Sequence, residues 1–317
     1  MNAAEQIEKQ RTDQLTDRLK MDLLNVDFSQ ISRTSAKIHP EWESLLQLTQ
    51  LSVTEELGPE FTLSKDISQF SLYMYPTLNF DFVSGILIYN MAGFLLDDWL
   101  DKFPSENEKW IQQLRNKNFP GNGKMDKWWQ LAIKLCREVM GEIVLTQLLD
   151  NWIYSISKAD KVNTIYIGHV SLPDKDFLEL RCIDAGTSHQ FFLVLAGVGK
   201  QLTAELAQDP NYLGLNKQVA LHTSVINDLY SLRKEIRDDL YRYNYVYVKM
   251  MNNNLSAQAA TDAIMQEIRD AEKMARVYGD RMKEMNDPQL SLYVDGMYDI
   301  IAGNHYWSTF CKRYNDL

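Results

Sequence analysis

Little in this chain of 317 residues interrupts it, with 14 glycines, 8 prolines and 3 cysteines. No Ser-rich, Pro-rich or single-charge block reads as a linker, and no repeat or low-complexity segment is evident. One domain over residues 1–317 is therefore expected, long enough to bury a large core. Cys136, Cys182 and Cys311 are scattered and odd in number, which argues against a disulfide framework and suits reduced thiols in a cytoplasmic protein. The first twenty residues mix both charge signs without an apolar core, so a flexible N-terminus is expected, with neither a signal peptide nor a membrane anchor. The apolar run Gly85 to Leu96 is too short to span a bilayer. Basic residues are outnumbered 33 to 43 and the formal net charge is −10, which speaks against a nonspecific grip on nucleic acid or anionic membrane. The five histidines, at 39, 169, 189, 222 and 305, share no metal-ligand spacing and read as ordinary polar or interior residues.

Alternation of apolar and polar residues persists nowhere, and helical periodicity dominates. The stretch YPTLNFDFVSGILIYNMAGFLLDDW predicts a helix buried on most of its surface, ending in acid. Pro104 and the segment NKNFPGNGK, Asn116 to Lys124, mark loops. Further helices are expected over Trp128–Tyr154, Asp176–Gly197, Leu215 to about Tyr247, Ser256–Met285 and Pro288–Phe310. The architecture implied is an all-α helical bundle around a central cavity.

Two constellations carry chemistry. In INDLYSLRKE, Asn227, Ser231 and Glu235 stand at i, i+4 and i+8, so an amide oxygen, a hydroxyl and a carboxylate line one helix face about 6 Å apart. Three hard oxygen donors in a row suit Mg²⁺. Asn and Ser are mediocre helix formers, so their place beside Val225, Ile226 and Leu229 calls for a reason other than propensity. Lys234, next to the last donor, can aim a positive charge at the same anion. The second constellation is DDWLD, where Asp97 and Asp101 stand at i and i+4 after the run from Met91 to Leu96. Acid concentrated at the mouth of an apolar pocket is costly without a cation. Together the two groups could hold magnesium and, through it, a diphosphate.

These motifs resemble the aspartate-rich and NSE motifs of class I terpene cyclases, especially the short single-domain kind. Arg181 lies 46 residues before Asn227 (227 − 181), where the resemblance implies a pyrophosphate-sensing arginine, with Asp184 as linker and Ala185 as effector. GNHYWSTFCKRY is similar to the family's closing helix, which implies Trp307 facing the pocket and the pair Arg313 and Tyr314 near the diphosphate. The resemblance spans four ordered elements from Asp97 to Tyr314. It implies a cluster of three Mg²⁺ ions, with Mn²⁺ as a substitute, and leaves room for a homodimer.

The expected reaction ionises an acyclic isoprenyl diphosphate, farnesyl or geranylgeranyl diphosphate, and cyclises the carbocation to a sesquiterpene or diterpene with release of diphosphate. Magnesium with Arg181, Lys234, Arg313 and the Tyr314 hydroxyl would neutralise the leaving group, the arginine forks fitting phosphate oxygens. Phe70, Phe94, Phe191, Phe192 and Trp307 are candidates for an aromatic wall that attracts a cation without attacking it. The resemblance also implies that the turn at Ala185 and Gly186, where two small residues let a helix bend, turns a carbonyl towards substrate. A chain-elongating prenyl diphosphate synthase is the enzymatic alternative, but it would need a second aspartate-rich motif where NDLYSLRKE stands. A non-catalytic helical module holding an isoprenoid or metal is the other alternative.

Overall fold

The computed structural model describes Asp17, residues 20–27, 35–167 and 172–315; the side chains of Asp101, residues 159–167 and Asn315 are outside that description. His169 and, apart from Asp17 and Lys20, the first twenty residues also lie outside it. Among the described residues there is no strand, and helices run in the order α1 Trp42–Leu57, α2 Lys65–Met74, α3 Phe80–Lys102, α4 Asn107–Asn116, α5 Lys124–Ile167, α6 Asp174–Asp184, α7 Thr187–Gly197, α8 Ala204–Gln208, α9 Pro210–Arg237, α10 Tyr245–Asn253, α11 Ala257–Lys283, α12 Pro288–Ser308 and α13 Lys312–Asn315.

Several starts follow from local chemistry. Asn79 caps α3 by accepting from the Phe82 amide at 2.9 Å, and Ser256 caps α11 by accepting from the Ala259 amide. Asp209 and Asp287 accept from the first free amides of α9 and α12, each followed by a proline at the first helical position.

The predicted boundaries shift in four places. Trp128–Tyr154 is the middle of the longer α5, which bends at Gly141. Asp176–Gly197 is two helices, because the chain turns at Ala185 and Gly186, the latter with φ 63°. The helix expected to reach Tyr247 stops at Arg237, and a 3₁₀ turn at Tyr241–Tyr243 folds the chain back before α10. Lastly, Phe80–Leu100 within α3 is long and apolar enough to cross a membrane, well beyond the Gly85–Leu96 run, but most of it is buried inside the bundle.

Two apolar clusters form the interior. The larger gathers α1 to α5, α7, α12 and the first half of α9, including Tyr212, Leu215 and Val219. The smaller gathers Phe177 of α6, the second half of α9 through Val225, Ile226, Leu229, Leu232 and Ile236, and the inner faces of α10 and α11. Each fully buried Leu or Ile among them contributes about 1.5–3 kcal/mol. Close approach of α12 to α2 depends on Gly303, where a Cβ would lie 2.3 Å from the Tyr73 carbonyl oxygen. Between α2, α3, α6, α7, α9 and α12 lies a cavity of about 720 Å³.

Candidate active site

Asn227, Ser231 and Glu235 all face this cavity, as the i, i+4, i+8 spacing requires. Glu235 accepts at Oε1 from the Ser231 hydroxyl at 2.6 Å and at Oε2 from Asn244 Nδ2 at 2.9 Å. Burial, reinforced by the nearby Asp228 charge and opposed by Arg181, pushes the Glu235 carboxyl up from 4.5 to about 7. Asn227 accepts from Arg181 Nη2 at 3.1 Å and donates to the Tyr314 hydroxyl.

One residue further round α9, Asp228 is fully buried and acts as the internal counter-ion of Arg181. Its Oδ1 accepts from Arg181 Nε and Nη2 at 2.8 and 2.7 Å, and its Oδ2 accepts from the Tyr245 amide at 3.0 Å. Arg181 Nη1 donates to Asp184 at 3.0 Å, one helical turn on. The Asp228 and Asp184 charges outweigh burial and hold the guanidinium firmly protonated. Ala185 and Gly186 line the cavity directly after this turn. Lys234 also lines it, 4.0 Å from Asp238.

Across from α9, Asp97 of α3 lines the mouth. Half of its side chain is open to solvent in the cavity, yet enough protein surrounds it that burial raises its carboxyl above the usual range, with Arg313 opposing. Arg313 donates to Asp98 at 2.6 Å and to Asp97 at 3.3 Å, with its guanidinium 5.4 Å from the centre of the Phe94 ring. Asp98 thus turns to Arg313 and is absent from the lining. The Asp101 side chain lies outside the described residues.

Phe70, Phe94, Phe191 and Trp307 form aromatic wall, with the Trp307 ring 5.0 Å from Phe70 and 5.9 Å from Phe94. Trp307 is also anchored, its indole N–H donating to the Asp66 carbonyl at 2.6 Å. Phe192, the remaining aromatic candidate, is not in the lining and packs into the larger core, because consecutive helical residues diverge by about 100°.

The sequence reading missed several residues. Asp228 was visible as a charge amid Val225, Ile226 and Leu229, which signals a buried partner. Asn244, Trp152, Asn90, His189 and Gln190 gave no signal, since their place in the site depends on how helices meet. Among the described residues no three or more His, Cys, Asp or Glu side chains gather as a metal site. The clustered oxygens include Asn227 and Ser231, so the donor set is hard, oxygen-only and poor in charge.

Residues 89–274 match the family model described as terpene synthase family 2, C-terminal metal binding. The chain belongs to the terpene synthase family. It is 23% identical over 299 residues to a (3S,6E)-nerolidol synthase of Selaginella moellendorffii, covering 87% of this chain and 80% of that one. To terpene synthase 1 of Acytostelium subglobosum it is 23% identical over 236 residues, covering 72% and 66%. In fold, this terpene synthase is similar to the crystal structure of a linalool/nerolidol synthase from Streptomyces clavuligerus, with a TM-score of 0.71 at 14% identity over 88% of this chain and 99% of that one. It is thus an all-α class I terpene synthase, and its family implies dependence on a divalent metal.

Proposed function

We propose that this terpene synthase ionises farnesyl or geranylgeranyl diphosphate with Mg²⁺ and cyclises the resulting carbocation to a sesquiterpene or diterpene. The observation that carries the reading is that the Asn227, Ser231 and Glu235 row and Asp97 face one cavity whose remaining wall includes Phe70, Phe94, Phe191 and Trp307. The residues fit a hard cation: all donors are oxygens, and the buried Glu235 carboxyl gains from a positive partner. Asp97, Asp101, Asn227, Ser231 and Glu235 would hold the metal, in the three-ion arrangement that the resemblance implies. Bound there, magnesium or manganese would neutralise the diphosphate and make it a leaving group.

Arg181, Lys234, Arg313 and the Tyr314 hydroxyl bind the diphosphate oxygens. Arg181 exchanges part of its carboxylate pairing for phosphate, and Asp184 passes that movement to the turn at Ala185, whose carbonyl meets the nascent cation. Trp307 and the phenylalanines then shelter the cation by their ring faces. The lining runs from Phe70 to Tyr314, which supports one catalytic unit. Three cysteines scattered along the chain accord with work in the reducing cytoplasm.

The test is incubation with Mg²⁺ and each diphosphate separately, assayed for released diphosphate and for terpenes in the volatile extract. Release that stops on exhaustive chelation and returns with Mg²⁺ or Mn²⁺ is the expected result. Turnover that survives chelation would sink the metal assignment, and consumption only alongside isopentenyl diphosphate would indicate chain elongation.

A further inference from the structure

The short helix α13 carries Arg313 and Tyr314, and several of its anchors belong to the site itself. Arg313 donates to Asp98 and Asp97, and the Tyr314 hydroxyl accepts from Asn227. On the terpene synthase reading above, each of these partnerships competes with the ligand: the arginine and the tyrosine turn to diphosphate oxygens, while Asn227 and Asp97 turn to metal. Two further contacts do not compete. The Trp307 ring meets Tyr314 edge-on at 5.5 Å, and the Lys312 amide donates to Asp66 Oδ2 at 2.8 Å.

Asp66 stands half-buried in the first turn of α2 and holds the closing segment by two groups, across 246 residues of chain. Its carboxylate accepts the first amide of α13, and its backbone carbonyl accepts the Trp307 indole N–H at 2.6 Å. The first amides of a helix have no partner within it, and a carboxylate oxygen is among their best acceptors. Cys311, which precedes α13, offers only a thiol, a weak acceptor. With four residues α13 is also too short to hold its own shape, so a cap from outside decides where it points.

We propose that Asp66 is a positioning residue for the diphosphate: its carboxylate caps α13 and so sets where Arg313 and Tyr314 stand when the site is filled. The inference rests on the terpene synthase reading above. The two groups of Asp66 divide the work. The carboxylate serves the diphosphate end through α13, and the carbonyl serves the hydrocarbon wall through Trp307. Loss of the carboxylate alone leaves the wall intact, but ligand binding must then itself order α13.

The probe is inorganic pyrophosphate with Mg²⁺, whose binding to the full chain is measured by calorimetry beside KM, kcat and product profile with each isoprenyl diphosphate. Asp66→Ala should weaken pyrophosphate binding about three- to tenfold, the effect of one lost cap, and raise KM more than it lowers kcat. Its product profile should match wild type, because the carbonyl to Trp307 remains. Asp66→Asn keeps an acceptor oxygen and should restore binding. Lys312→Pro removes the other partner, the amide N–H, and proline suits the first position of a helix. It should show the same loss, and the variant carrying both changes no further loss. Unchanged pyrophosphate binding in Asp66→Ala with a native far-ultraviolet spectrum would overturn the proposal, as would equal loss in Asp66→Asn or losses that multiply in the double variant. If Asp66→Ala lacks the native spectrum, Lys312→Pro decides alone, and binding equal to wild type would refute the role. Wild-type protein that neither binds pyrophosphate with Mg²⁺ nor releases diphosphate from either substrate would overturn the terpene synthase reading, and this inference with it.

Discussion

Asn244 joins the backbone of Asp228 to the side chain of Glu235: its Nδ2 donates to the Asp228 carbonyl and to Glu235 Oε2, while its Oδ1 caps α10. A single fully buried amide thus fixes the end of the donor row and the direction in which the chain returns. Asn244→Ala should cost about 2–4 kcal/mol, from the lost cap and the unpaired buried groups. Urea unfolding checks this, and turnover should fall with it because Glu235 loses its orientation. A stability change within about 0.5 kcal/mol, the range of ordinary surface substitutions, would show that the amide matters little.

Asp97 and Asp98 are neighbours with different tasks. Asp97 faces the cavity while Asp98 holds Arg313 at 2.6 Å. Asp97→Asn should lower kcat/KM by about a hundredfold or more, as loss of metal support does. Asp98→Asn keeps a hydrogen-bonding side chain beside Arg313 and should be milder. Steady-state kinetics of the two variants at saturating Mg²⁺ distinguish them, and the reverse order would mean that the helix face was assigned wrongly.

Glu235 titrates in the opposite sense to a stabilised carboxylate. Its pKa in the folded chain is raised from 4.5 to about 7, so between those values the native state binds more protons than the unfolded one. Its contribution to the stability of the metal-free protein therefore falls as pH rises through that window. Glu235→Gln lacks this dependence. In chelator, the Tm of the variant relative to wild type should climb as pH is raised from about 4.5 to about 7 and then level off. A flat difference would mean that the carboxyl is not desolvated.

On the proposed reading, Trp307 should shape the fate of the cation more than its formation. Trp307→Leu removes ring-face stabilisation of about 0.5–2 kcal/mol, enough to reorder competing cation pathways by factors of a few to about thirty. Gas chromatography should show a changed product mixture with more acyclic terpenes. Because the indole is buried and bonded to the Asp66 carbonyl, the variant should also lose about 2–4 kcal/mol of stability. Normal consumption with an unaltered profile would return Trp307 to plain packing.

How much of this was legible depended on the distance over which each feature is encoded. The Asn227, Ser231 and Glu235 row lies within nine residues of one helix, and helical period alone puts it on one face. Asp97 announced itself through the contrast between charge and the apolar run before it. The turn at Ala185 and Gly186 showed as two small residues, but that they separate two helices depends on Gly186 adopting a left-handed backbone. Asn244 was unreadable because the chain reverses between Arg237 and Tyr245, so its bond to Glu235 is tertiary. The same holds for His189, whose environment is assembled from α3, α5 and α7. Asp98 could be separated from Asp97 by the helical angle, but not matched to Arg313, 215 residues away.

The division of the interior into two apolar clusters has a consequence for how the protein opens. Asp97 and Phe94 stand on a helix packed into the larger cluster, while the half of α9 bearing Asn227, Ser231 and Glu235 is rooted in the smaller one with α10 and α11. A ligand gripped from both sides acts as a clasp between them. Amide hydrogens of α10 and α11, far from the cavity wall formed by α3, should therefore exchange more slowly once metal and diphosphate are bound, since releasing either cluster then means releasing the ligand as well.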